Sequence, residues 1–124
     1  MGIFVNYSSN LFPGITNIPT TILTANTNVI IVNSINVCNL GTDNIRFNLQ
    51  KLRTQATPVT ISYVNQLEIQ TYDTVDIVAK FGIQIYLQYS ATPSISDSLI
   101  CFSNGYTQKF DCEITYTILN ELPN

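Results

Sequence analysis

The chain has 124 residues, eight acidic and five basic, a net charge of −3 and no histidine or tryptophan. That length fits one domain with a single core that needs no covalent staple. Charged residues make up 10% of the chain, against about 25% in an average soluble domain. Arg46, Lys51, Arg53, Lys80 and Lys109 are scattered, which argues against the clustered basic footprint of a nucleic-acid binder.

No apolar run approaches the roughly 20 residues of a membrane helix. "MGIFVNYSSN" has neither the basic start nor the long apolar stretch of a signal peptide, and Asn6 stands where a myristoylation motif needs Ser or Thr. The surface is therefore expected to be built from Asn, Thr, Ser and Gln. Such a surface resists association less than a charged one, which implies a chain that lives in an assembly. Codon bias toward Asn and Ile is the other source of such a composition.

Residues 1–19, "MGIFVNYSSNLFPGITNIP", lack a sustained period and carry Pro13, Gly14 and Pro19. They are expected to form an extended N-terminal arm outside the sheet, with the domain proper over 20–124. Ile3, Phe4, Leu11 and Phe12 are the arm's apolar side chains. Either they fold back on their own domain or they dock on a neighbour as an interface.

From Thr20 onward the chain reads as strands. "TTILTA" is short and ends at "NTN". Val29–Leu40 is β-branched and apolar on both sides, as for a central strand covered on both faces. Asn33, Ser34 and Asn36 interrupt it, where a bulge or an edge contact satisfies them. After "GTDN", Ile45, Phe47 and Leu49 alternate with Arg46, Asn48 and Gln50. Pro58 opens "VTISYVNQLEI". "TVDIVAKF" and "GIQIYLQY" read as two further strands, "ATPSIS" as a loop. "SLICFS" leads through Asn104-Gly105 into Phe110–Ile118, where Phe110, Cys112, Ile114 and Tyr116 alternate with Asp111, Glu113, Thr115 and Thr117.

A two-residue turn at Asn104-Gly105 makes this last pair a hairpin and sets Cys101 opposite Gln108 rather than Cys112. No segment shows a capped helical repeat. The expected fold is all-β, an antiparallel sandwich of two sheets, with a jelly roll as its most specific version.

The chemistry-bearing residues are few. Cys38, Cys101 and Cys112 match no zinc spacing, and without histidine the mixed zinc sites are excluded, so three reduced thiols are expected. Asp73/Asp76 and Asp111/Glu113 are the close carboxylate pairs. In a strand the latter share one face about 7 Å apart, within reach of a two-carboxylate site, but solvated carboxylates on an outer face and turn capping are the simpler readings. Asp43-Asn44 reads as turn chemistry. "LGTDN" is too thin for calcium. Tyr63, Tyr72, Tyr86, Tyr89, Tyr106 and Tyr116 are the aromatics a sugar site would use, although alternating strands half-bury most of them. There is no phosphate loop and no nucleophile elbow. No enzymatic activity, cofactor or metal is expected.

Three stretches, in order, carry a resemblance: "PTTILTANTNVIIVNSINVCNLGTDNIRFNLQKL", "LEIQTYDTVDIVAKFGIQIYL" and "SDSLICFSNGYTQKFDCEITYTILNEL". Together they resemble a group of small β-sandwich proteins found in the virions of tailed bacteriophages. The resemblance implies a structural role as a head decoration or cement protein, or as a neck, tail or fibre-adaptor subunit, with no catalytic residues. It further implies synthesis in the bacterial host cytoplasm and assembly with the major capsid protein or other virion subunits. A homo-oligomer, first of all a trimer, is expected, with no nucleic-acid or membrane partner. The rival reading is a carbohydrate- or receptor-binding module.

Overall fold

The computed structural model describes residues 3–27 and 29–121, with the side chains of 3–5, 120 and 121 outside the description. In chain order the elements are β1 (Ile3–Ile15), β2 (Thr20–Thr24), β3 (Val29–Cys38), β4 (Ile45–Thr54), β5 (Val59–Ile69), β6 (Thr74–Asp76), α1 (Ile77–Phe81), β7 (Ile85–Leu87), β8 (Tyr89–Ser90), β9 (Ile95–Ser103) and β10 (Phe110–Glu121). One sheet runs β1-β10-β3-β6, with β7 also on β3; the other runs β2-β9-β4-β5, with β8 also on β9. All these pairings are antiparallel. The protein is an all-β, two-sheet structure consistent with a sandwich.

Period-two patterning builds the core between the sheets. Ile45, Phe47 and Leu49 of β4 are fully buried, as are Cys112 and Ile114 of β10, with Phe110 nearly so. Phe47 and Phe110 meet edge to face across the sheets, ring centroids 5.4 Å apart, an arrangement aromatic pairs favour.

Residues 3–15, expected beside the sheet, instead form its rim strand, paired with β10 from Ile3↔Glu121 to Ile15↔Phe110. Pro13 misled the sequence reading, since proline is tolerated in an edge strand at a bulge. The register shifts between Phe12 and Ile15, Gly14 takes φ +66, and its N–H donates to Asp111 Oδ1 at 2.9 Å.

The Asn104-Gly105 hairpin is not formed. β9 and β10 belong to different sheets, and residues 104–109 carry the chain across. Side chains hold that crossing. Ser103 Oγ donates to Gly105 O at 2.9 Å, Asn48 Nδ2 donates to Asn104 Oδ1 at 2.7 Å, and Gln108 Oε1 accepts Arg46 N–H at 2.9 Å. Cys101 therefore meets Cys112 across the core instead of facing Gln108. The neighbouring Cys112 thiol, together with burial, pushes the Cys101 thiol far above its usual range.

"TVDIVAKF" is not one strand. It breaks at Asp76 into β6 and α1: β3 pairs with β6 as far as Asn36↔Asp76 and with β7 from Val32↔Ile85, so residues 33–35 have no strand partner on that side. Asp76 Oδ1 fills the gap. It accepts from Ile35 N–H at 3.3 Å and caps α1 by accepting from Val78 N–H at 3.1 Å.

Candidate interaction face

β3 is central in its sheet but covered on one side only. Ile30, Val32, Ile35 and Val37 are buried, while Val29, Ile31, Asn36 and Cys38 lie on the opposite face, exposed or half-buried. The expected bulge is present: Thr115 pairs with Ser34 and Tyr116 with Val32. It frees Asn33 to donate to Thr117 Oγ1 at 2.8 Å, and Ser34 bonds Thr115 through their hydroxyls. Asn33 and Ser34 thereby find partners on β10 within the sheet.

Register then aligns a row across the outer face. Tyr7 of β1 pairs with Thr117 of β10, Thr117 with Ile31 of β3, and Ile31 with Tyr86 of β7. At about 4.8 Å per strand, the row spans about 14 Å. Its ends are aromatic and open, Tyr7 79% and Tyr86 43% exposed, and Thr117 between them is 7% exposed. Beside it, Val29 and Leu119 form a second apolar row. Among the acids whose side chains are described, Glu113 and Asp76 lie two rows away with Asn36 between them, and on the other side β10 runs on from Leu119 to Glu121. The stripe is neutral, built from aromatic, β-branched and hydroxyl side chains. Its chemistry suits burial of apolar area with hydrogen bonds in place.

Of the expected interface residues, Leu11 is exposed on this same outer face opposite Glu113, and Phe12 turns inward opposite Cys112, where it packs partly against the core. They do not form one cluster. The side chains of Ile3 and Phe4 lie outside the described residues. Asp111 and Glu113 do not act together: Asp111 is engaged by Gly14 N–H, and Glu113 is exposed. Tyr116 is buried, its hydroxyl accepting from Asn10 Nδ2 at 3.2 Å, and Tyr63 lies under the Lys51 ammonium, 6.0 Å from the ring centre.

Sequence reasoning passed over one ion pair. Asp97, fully buried at an inward position of β9, accepts from Arg53 Nε at 2.8 Å and Nη2 at 3.0 Å, and from Gln88 N–H at 2.9 Å. Burial pushes its carboxyl up, but the guanidinium and the Gln88 N–H outweigh that, and the carboxyl is held below the usual carboxylate range. A carboxylate in phase with Leu99 and Cys101 was the available signal. The pair ties β4 to β9, where Arg53 and Asp97 are register partners, and holds the Gln88 backbone against them.

A larger groove runs between residues 54–57 and 93–95, lined by Thr54, Gln55, Ala56, Thr57, Pro93 and Ile95 among others, and holds no ionisable or aromatic side chain. Among the described residues no three His, Cys, Asp or Glu side chains come together as metal ligands. No helix there is long and apolar enough to cross a membrane. Protein-family models give no match to this chain, and a search of curated proteins gives none either.

Proposed function

We propose that this chain is a non-enzymatic structural protein of a virion, a capsid decoration or cement subunit first and a neck, tail or fibre adaptor next. It works by covering its neutral sheet face with other protein. The observation that carries the proposal is the row Tyr7–Thr117–Ile31–Tyr86, an uncharged stripe across four strands. Each apolar side chain removed from water there contributes at about 25 cal/mol per Å² before ordering costs, and repetition over many copies multiplies modest contacts. The strand orders β1-β10-β3-β6 and β2-β9-β4-β5 support reading the sandwich as a jelly roll, a fold that capsid domains use. In this reading the chain is made in the bacterial cytoplasm, and cyclic copies, three first of all, meet through identical patches.

Particles purified through a density gradient test the assignment. Mass spectrometry is expected to find the chain in repeated copies per particle, and particles without it would overturn the role. One observation favours the second reading, a carbohydrate- or receptor-binding module. A shallow groove lined by Tyr7, Ser8, Ser9, Asn33, Thr115 and Tyr116 offers an open ring beside amide and hydroxyl groups, the chemistry of sugar recognition. Glycan binding lost on Tyr7→Ala would select that reading.

A further inference from the structure

β1 forms the rim of the first sheet, and among the described residues its strand partner is β10. Among its described side chains, those of residues 6–11 give the core little. Within residues 6–15 the buried side chain is Ile15, beyond the bulge, and Phe12 packs partly. The inward register positions before it are Asn6, Ser8 and Asn10, opposite Ile118, Tyr116 and Ile114. Residues 6–11 are thus held mainly by the backbone ladder to β10, with the Asn10–Tyr116 bond added. The firm anchor comes after the kink: Gly14 N–H on Asp111, Ile15 opposite Phe110, and Thr16 O accepting Ser103 N–H at 2.9 Å. Between ladder and anchor stand Pro13, which has no N–H to donate, and Gly14, at φ +66 with nothing within 4 Å of where a Cβ would lie.

We propose that residues 3–12 are an exchangeable strand that pivots at Pro13-Gly14 and completes the first sheet of a second copy of this chain. The partner is fixed by register. β10, a strand of 12 residues, already accepts this segment, and a second copy offers the same segment with every pair matched. The contacts made between copies equal those given up within one, so exchange is an inexpensive route to association. Residues from Ile15 onward stay in place and keep each core closed. Tyr7 and Leu11 travel with the strand, so the outer stripe becomes composite, part from one copy and part from the next. The proposal does not depend on a virion role.

The test uses the full chain with Cys38→Ser. One variant carries Leu11→Cys and another Glu113→Cys, residues directly opposite in register and both exposed. A second set, Ser9→Cys and Thr115→Cys, also opposite, runs in parallel so that one poor geometry does not decide. Each set is co-refolded from urea and gently oxidised, then resolved on a non-reducing gel with peptide mapping. A covalent dimer joining position 11 of one chain to 113 of the other, or 9 to 115, is expected as the main product. Overturning it requires only that neither set yields such an interchain link, whatever mass the chains show.

Discussion

Replacing Asp97 with Asn changes no volume and removes one charge from a fully buried position. Three donors converge on that carboxylate, two from Arg53 and one from the Gln88 backbone. An amide keeps one oxygen, so its NH2 must face a guanidinium or a peptide N–H, and a buried donor goes unpaired. Breaking a buried pair by removing one partner costs about 3–5 kcal/mol. The Arg53 side chain is 29% exposed and recovers some hydration, which sets the expectation at the lower end, about 3 kcal/mol. With about 2.1 cal/mol/K of unfolding entropy per residue, a chain of 124 residues loses about 12 °C of Tm. The acid dependence supplies a second readout. The Asp97 pKa is lowered in the folded state, so its stabilisation is present above the unfolded carboxyl value of about 3.9 and is lost as pH falls through the folded value. Urea titrations from pH 7 to pH 2.5 are expected to show the wild type losing its advantage over Asp97→Asn below about pH 4. An Asp97→Asn chain within about 0.5 kcal/mol of wild type at pH 7, the ordinary range for surface substitutions, would refute this reasoning.

Three further expectations follow from particular contacts. Asp76→Ala removes the cap of α1 and the partner of Ile35 N–H, and is expected to cost about 1–2 kcal/mol in a urea titration. Ile31→Asp sets a carboxylate in the middle of the outer stripe, and should weaken self-association at least about tenfold in sedimentation while circular dichroism stays unchanged; Thr60→Asp, at an exposed position of β5 in the other sheet, should leave association as it is. Iodoacetamide on the native chain should label Cys38, which is half-buried, well before the buried Cys101 and Cys112. Unfolding should equalise the three, as mass spectrometry of digests will show.

The all-β class was legible because alternation in β4, β5 and β10 is local. Phe47 and Leu49 flank Asn48 in sequence, and no knowledge of partners is needed to see a strand. What failed to show locally was the destination of each strand. Asn104-Gly105 carries the chemistry of a tight turn, yet Arg46 and Asn48, contributed from β4, bond Gln108 and Asn104 and stabilise a wider crossing between sheets. Pro13 and Gly14 look like the end of structure, whereas an edge position turns them into a bulge. α1 is five residues long and has no periodicity to detect; Asp76 was the available sign. The candidate face is harder still. Tyr7 and Tyr86 are far apart in sequence and share a row only after three registers are set, so no local pattern reveals them. The neutrality of the composition did point to such a face without placing it.

The central claim is that the uncharged face of the first sheet is covered by protein. Light scattering on the purified chain across a wide concentration range tests it most directly. The expected result is a whole multiple of 13.8 kDa, three copies first of all, collapsing toward one copy in Ile31→Asp. A mass of one copy at every concentration, indifferent to that substitution, would contradict it.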